Sequence, residues 1–202
     1  DRFGAGRGCR HLVMIALGTG VGGGVLVGGA LLTGFADGAG EIGHMTLQLD
    51  GALCPCGARG CLEAYCGSVG MVRRARELAA TDTATAAWRS MVDERGEALT
   101  TRDCFELAER RDATGLAFFA EAGRRLGQAV ASLVNVLAPE RVIIGGGGAQ
   151  AGELILDPAR RMVAAHVMSS AGRDTPVVRA ELESHAAALG AAALAAEAGT
   201  GR

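Results

Sequence analysis

Apolar residues fall along this chain with two different periods. Short unbroken runs end in glycine: His11–Leu17 (HLVMIAL) leads into Gly18, and Arg141–Ile144 (RVII) leads into Gly145. Runs of that length beside glycine predict buried strands. Val25–Val27 and Leu31–Thr33 predict a second strand and a turn. Met45–Leu49 predicts a strand with an Asp50-Gly51 turn behind it, and Pro176–Leu182 a further strand. Between these the period changes to threes and fours. Leu62, Tyr65, Val69, Val72 and Leu78 predict a helix over Leu62–Ala80. Leu116, Phe119, Ala122, Leu126, Val130, Leu133, Val134 and Leu137 give Thr114–Leu137 one broad apolar face, which Pro139 stops. Cys104–Arg111 predicts a short helix, Glu153–Val167 another entered at or just before Pro158, and His185–Ala196 an Ala-rich one. Residues 81–100 are rich in Thr, Ala and Asp around the anchors Trp88 and Met91, and predict short helices or a loop. Strands alternating with long helices make an α/β fold, and the chain shows no internal repeat.

Composition narrows the function. With 202 residues, 49% of them hydrophobic, the chain is long enough for one large domain with a real core. A formal net charge of -2 gives no general attraction to nucleic acid or anionic lipid. Glycine or charge interrupts every apolar run before bilayer length, so no membrane partner is expected. Asp1–Arg10 holds no secretory apolar stretch, and the start reads like the middle of a longer chain. Cys54, Cys56, Cys61 and Cys66 lie close together, with Cys9 and Cys104 apart. Clustering of this kind predicts a metal in a reducing cytoplasm rather than a disulfide framework.

The metal reading centres on Glu41–Glu63 (EIGHMTLQLDGALCPCGARGCLE), where His44, Cys54, Cys56 and Cys61 supply one imidazole and three thiols. Zinc takes four such ligands in a tetrahedron, and a shell filled by protein is structural rather than hydrolytic. Pro55 holds the backbone between two of the sulfurs. Gly57 and Gly60 let the loop curl so that Cys61 reaches the same ion. Unrelated buried thiols are the competing reading. Cys66 falls on the following helix as core or surface, and Cys9 and Cys104 show no partner. Glu41 and Glu63 bracket the loop. With the metal shell full, they either face a cleft, where carboxylates accept hydrogen bonds from adjacent hydroxyls, or remain solvated surface charges.

Two glycine loops complete the candidate chemistry. Gly18-Thr19-Gly20-Val21-Gly22-Gly23 fits a dinucleotide-type G-x-G-x-x-G, but that chemistry requires a helix next. Gly24-Val25-Leu26-Val27 is a poor helix and a good strand, which sets the oxidoreductase reading aside. The segment is strand–turn–strand, either holding phosphate oxygens on its N–H groups and the Thr19 hydroxyl, or a plain hairpin. Gly145–Gly148 follows the RVII strand, at the carboxyl end where open α/β sheets bind ligands. It serves a flat base or a phosphate, or is simply a loop that needs positive φ.

In order through nearly the whole chain, LGTGVGGG, GEIGH, CPCGARGCLE and PERVIIGGG resemble the ROK family of sugar kinases and sugar-responsive repressors. Within it, FGAGRG and HLVMIALGTGVGGG look most like the bacterial glucokinase branch. The resemblance implies an actin-like, ribonuclease-H-type α/β fold with two lobes and ATP between them. Residues 1–184 would form the larger C-terminal lobe with a zinc loop at 41–63, and residues 185–202 a helix returning to the other lobe. It implies that Glu41, His44 and Glu63 contact sugar hydroxyls, with one His44 nitrogen on zinc and the other towards the sugar, and that Cys54, Cys56 and Cys61 complete the zinc site. Gly18, Thr19 and Gly20 match the second phosphate motif, and Gly145, Gly146 and Gly147 the adenosine-side loop. The implied activity is phosphorylation of a hexose, glucose first, at its 6-hydroxyl by ATP and Mg, in a cytoplasmic homo-oligomer (dimer or tetramer). A sugar-responsive repressor, which would bind nucleic acid, is the alternative. The family's Asp-x-Gly-Gly-Thr motif and the Asn-Asp-Ala segment that carries its catalytic base have no counterpart here. Asp1, followed by Arg2-Phe3, is not assigned as that base, which is expected upstream of Asp1. The chain is therefore expected to be N-terminally truncated, with little or no kinase activity by itself.

Overall fold

Two apolar runs ending in glycine pair in parallel, and the sheet grows outward from them. The computed structural model describes residues 3–182 and 185–200. Asp1 and the predicted lobe boundary at residue 184 lie outside the described residues. Leu12–Leu17 (β1) turns back into Val21–Val27 (β2) as an antiparallel hairpin, with Leu17 opposite Val21. Ala30–Leu31 (β3) adds a short outer strand. Arg141–Gly145 (β4) runs parallel to β1 with Ala16 opposite Gly145, and Val177–Arg179 (β5) runs parallel to β4. The strand order is β3-β2-β1-β4-β5.

The helices are Glu63–Cys66 (α1), Ser68–Ala79 (α2), Ala86–Arg95 (α3), Thr101–Glu109 (α4), Ala113–Leu137 (α5), Glu153–His166 (α6), Ser170–Arg173 (α7) and Ala186–Thr200 (α8). Side-chain caps set several starts. Thr85 accepts the Trp88 N–H, Asp112 accepts the Gly115 N–H, and Thr100 with Asp103 forms a reciprocal capping box. That box starts α4 at Thr101, ahead of the expected Cys104. α5 ends at Ala138 in the left-handed region, φ 45.

Several expected elements come out differently. Met45–Leu49 is not a strand: a single bridge joins Thr46 to Cys61, because this segment is consumed by the cysteine loop. The helix expected over Leu62–Ala80 breaks at Gly67, which is extended (ψ 148) so that the Ser68 N–H can reach the Gly18 carbonyl at 3.0 Å. Pro158 lies inside α6 rather than at its entry. Outer strands differ in extent: β2 reaches back through the glycines to Val21, β3 is Ala30–Leu31 rather than 31–33, and β5 stops at Arg179.

Alternation along the strands divides the interior. Val13, Ile15, Leu17, Val142 and Ile144 join the main core with Leu126, Val130, Ile155, Leu156 and Val163, all sealed from solvent. Each such side chain contributes about 1.5–3 kcal/mol of burial. Leu12 and Ile143 form a smaller cluster on the opposite face with Ala5, Met14 and Val178. Trp88 is fully buried against Phe118, with centroids 5.2 Å apart, and donates Nε1–H to the Ala75 carbonyl at 3.1 Å. No helix among the described residues is long and apolar enough to cross a membrane.

α5 and α6 meet at two glycines. A Cβ on Gly123 would lie 2.4 Å from the Ile155 carbonyl, and one on Gly127 2.5 Å from the Ala159 carbonyl. The contact atoms are backbone, which cannot rotate away. Gly127→Ala is therefore expected to destabilise the fold by about 1–3 kcal/mol, despite the ~1 kcal/mol that alanine adds in helix propensity. A lowered urea midpoint with an unchanged slope is the measurement.

Candidate functional site

The cysteine loop folds as a small knuckle. Leu53 bridges Arg59, the Cys54 N–H donates to the Ala58 carbonyl at 2.8 Å, and the Gly57 N–H returns to the Cys54 carbonyl at 2.9 Å. Its base closes through Gly60, with φ +78, whose missing side chain lets the Gln48 carbonyl approach to where a Cβ would sit 1.7 Å away. The knuckle brings His44, Cys54, Cys56 and Cys61 together, with their ligand atoms all within 4.8 Å of one another.

Distances inside that group fit a tetrahedral metal centre. Cys56 Sγ and Cys61 Sγ are 3.8 Å apart, and Cys54 Sγ is 3.8 Å from His44 Nδ1. Thiolates bound at about 2.3 Å in a tetrahedron stand about 3.8 Å apart, so the Cys56–Cys61 pair already has the spacing an ion needs. Cys54 and Cys61 are buried, whereas Cys56 and His44 face solvent. Burial pushes the Cys54 thiol up to about 12 and raises Cys61 as well. The Ala58 N–H beside Cys56 lowers that thiol instead. Nδ1 faces the sulfurs, which leaves His44 Nε2 outward, 4.0 Å from Glu41 Oε2.

The two carboxylates that bracket the loop have different surroundings. Glu41 is exposed and precedes the one-turn segment Ile42–His44, whose Ile42 anchors in the core. Glu63 opens α1 and is half-buried. Its Oε2 accepts the Val21 N–H at 2.9 Å, and Oε1 lies 3.7 Å from Cys54 Sγ. One carboxylate thus touches both the cysteine loop and the Gly18–Gly20 turn. Nothing in the sequence announced the bond to Val21, which joins residues 42 positions apart.

The parallel register of β1 and β4 places both glycine loops at one edge of the sheet. In the first, the Gly18 N–H is taken by the Gly20 carbonyl at 2.9 Å. The N–H groups of Thr19 and Gly20 and the Thr19 hydroxyl have no partner among the described residues. In the second, Gly146 packs directly on the Leu17 carbonyl. Gly145, Gly146 and Gly147 line a recess of about 160 Å³ with Ala149, Gln150, Arg179 and Ala180, between the ends of β4 and β5. All the expected site residues therefore lie on the knuckle or at this edge. Cys66 is buried, donating to the Ala122 carbonyl at 3.4 Å, and Cys104 is sealed in the core. Cys9 is half-buried beside the smaller cluster.

Comparison with known proteins adds a family. A model described as the ROK family matches residues 1–198. A glucokinase from Thermotoga maritima is 38% identical over 193 residues, covering 95% of this chain and 60% of that protein. A crystal structure of a ROK family glucokinase from Streptomyces griseus, in complex with glucose and AMPPNP, superposes with a TM-score of 0.84 at 35% identity, covering 96% of this chain and 62% of that one. The DNA-binding transcriptional dual regulator NagC of Escherichia coli is 27% identical over 192 residues, covering 95% of this chain and 45% of the regulator. The chain thus spans less than two thirds of the length of each. The likeness to the solved structures bears out the mixed α/β, actin-like ATPase fold expected from the sequence.

Gly60→Ala is expected to abolish metal retention, since both its φ and the Gln48 carbonyl exclude a side chain. Gly147→Ala, with open space around its Cβ, should leave retention intact. Elemental analysis of the two purified variants is the check. Burial holds Cys54 and Cys61 protonated, and a metal must displace those protons. Apparent metal affinity should accordingly weaken as pH falls from neutral to mildly acidic, read by chelator competition.

Proposed function

We propose that this chain, which belongs to the ROK family, supplies the sugar-gripping and nucleotide-facing groups of an ATP-dependent hexose kinase. Glucose is the proposed hexose and its 6-hydroxyl the acceptor. The observation that carries the reading is the double contact of Glu63, which sets hydroxyl-accepting chemistry directly beside the Thr19 and Gly20 donors, which have no partner among the described residues. A kinase needs those two capacities side by side.

The geometry supports a set of roles. His44 Nδ1, Cys54, Cys56 and Cys61 would hold zinc, which with four protein ligands fixes the loop and supplies no reacting water. His44 would then present Nε2–H outward as a donor, the usual second contact of a ligating imidazole. Glu41 beside it and Glu63 below accept hydrogen bonds from sugar hydroxyls, charged contacts worth about 1.5–3 kcal/mol each. The N–H groups of Thr19 and Gly20 and the Thr19 hydroxyl are aimed at phosphate oxygens of ATP-Mg. Gly145, Gly146 and Gly147 offer the adenosine side a surface without side chains. Catalysis of this class is positioning plus charge neutralisation. Neither Glu41 nor Glu63 is assigned as the base that takes the hydroxyl proton.

The lobe assignment belongs to the same reading. α8 (AAALGAAALAAEAGT) carries Glu197 as its only charge, and a helix apolar on every side requires cover. Docking on the kinase's other lobe would provide it, with residues 1–184 as the larger lobe. Cytoplasmic placement and a homo-oligomer go with this reading. A sugar-responsive repressor is supported by the 27% relative, against 38% for the glucokinase, and it would not need the phosphate-facing donors at Thr19.

Calorimetry with glucose and AMPPNP tests the proposal. Both ligands should bind the zinc-loaded chain, and Glu41→Gln should weaken glucose roughly 10- to 100-fold, the loss of one charged hydrogen bond. Glucose binding without any AMPPNP binding would favour the repressor. An unchanged glucose affinity in Glu41→Gln would remove that residue from the site.

A further inference from the structure

The knuckle is held from outside by a strip of α5. The segment from Leu47 to Ala52, which carries the chain from His44 into the cysteine hairpin, is not part of a strand. Backbone bonds hold its two ends, the Leu47 N–H on the Gly60 carbonyl at 2.7 Å and the Gly60 N–H on the Ala52 carbonyl at 2.8 Å, and side chains brace it against α5 and α1. Arg125 donates Nη2–H to Gln48 Oε1 at 2.9 Å while its guanidinium lies over the Tyr65 ring, 4.7 Å from the centroid. Gln128, one turn further along α5, donates to the Leu47 carbonyl at 3.0 Å. The Tyr65 hydroxyl accepts the Ala52 N–H at 3.1 Å. On the same strip, Ala122 accepts the Cys66 thiol and Glu121 pairs with Arg74 at 2.9 Å, so α1 and α2 are seated there too.

This clasp acts on the arm of the cluster that is hardest to close. Cys56 and Cys61 are separated by only five positions, but His44 and Cys54 by ten. Bringing a longer loop's ends together costs more chain entropy, and a loop already pinned near its middle has less to lose. Arg125 suits the task because a planar guanidinium can stack on a ring and hydrogen-bond an amide oxygen at once.

We propose that Arg125, acting with Gln128 and Tyr65, is the positioning residue of the metal cluster: by clasping Gln48 it sets His44 at ligand distance from the three thiols. None of these residues offers a metal ligand or touches one of the expected substrate groups. The proposal rests on the cluster holding a metal, as read above.

Zinc competition against a chromogenic chelator, on the full chain, tests it. Arg125→Ala and Gln48→Ala should each loosen zinc about tenfold, the scale seen for supporting groups around metal ligands. The double variant should be no weaker than the worse single, because both remove the same hydrogen bond. Arg125→Lys, which keeps the charge but loses the planar fork, should restore only part of the affinity. Arg102→Ala removes a similar stack, over Phe105 on α4, and should leave zinc affinity unchanged. Gln48 is exposed, so its variant reads the clasp even if Arg125→Ala folds poorly, and its metal-free melting temperature should stay at the parent value. Zinc held within twofold of the parent by Gln48→Ala would overturn the clasp alone. A parent chain that retains no zinc would overturn the metal site and the clasp with it.

Discussion

The Val21 N–H donates to Glu63 Oε2 at 2.9 Å, and through that bond the cysteine loop is tied to the edge of the sheet. Val21 is the first residue of β2, where the hairpin leaves its turn, and Glu63 follows Cys61 by two positions at the head of α1. The second carboxylate oxygen reaches towards Cys54. A shift of the knuckle therefore moves the turn, and the reverse also holds. A charged acceptor on a half-buried backbone donor is among the stronger polar contacts a fold can make. It couples a loop with little hydrophobic core of its own to a sheet whose central strands, β1 and β4, are mostly buried.

Topology does the rest of the assembly. β1 and β4 are parallel, so their carboxyl ends meet at one edge, and each ends in glycine. Gly146 rests on the Leu17 carbonyl, which brings the two loops into contact without an intervening side chain. The backbone donors of one loop and the recess of the other then share a surface with Glu63 at its flank. Behind this edge, α5 serves two roles along its length. Its inward residues and two glycines pack α6, while Ala122, Arg125 and Gln128 carry the knuckle and the helices that follow it.

Much of this was legible residue by residue. The apolar face of α5 is continuous over many turns, and no competing partner disturbs its period, so its extent was read to within a residue at either end. The buried strands β1 and β4 were equally clear, because both of their faces are covered and neither needs polar residues. Misreadings fell where a local rule met a tertiary demand. Gly67 interrupts a good helical pattern because the turn at Gly18 claims the N–H that follows it. Met45–Leu49 has the composition of a strand, but its hydrogen bonds are spent on closing the loop at Gly60 and Leu62. Pro158 sits within α6, where sequence rules place proline at an entrance.

Taken alone, the sequence determined the α/β alternation, the glycine endings of the central strands and the grouping of one imidazole with three thiols. Those features depend on local spacing and on burial of whole segments, both of which are written along the chain. Only the tertiary structure decided which His44 nitrogen faces the sulfurs, that Glu63 bonds Val21, and that Arg125 reaches Gln48 across 77 positions. Each of these is a contact between surfaces of different elements. Its geometry is set by how those elements cross and not by any period within them.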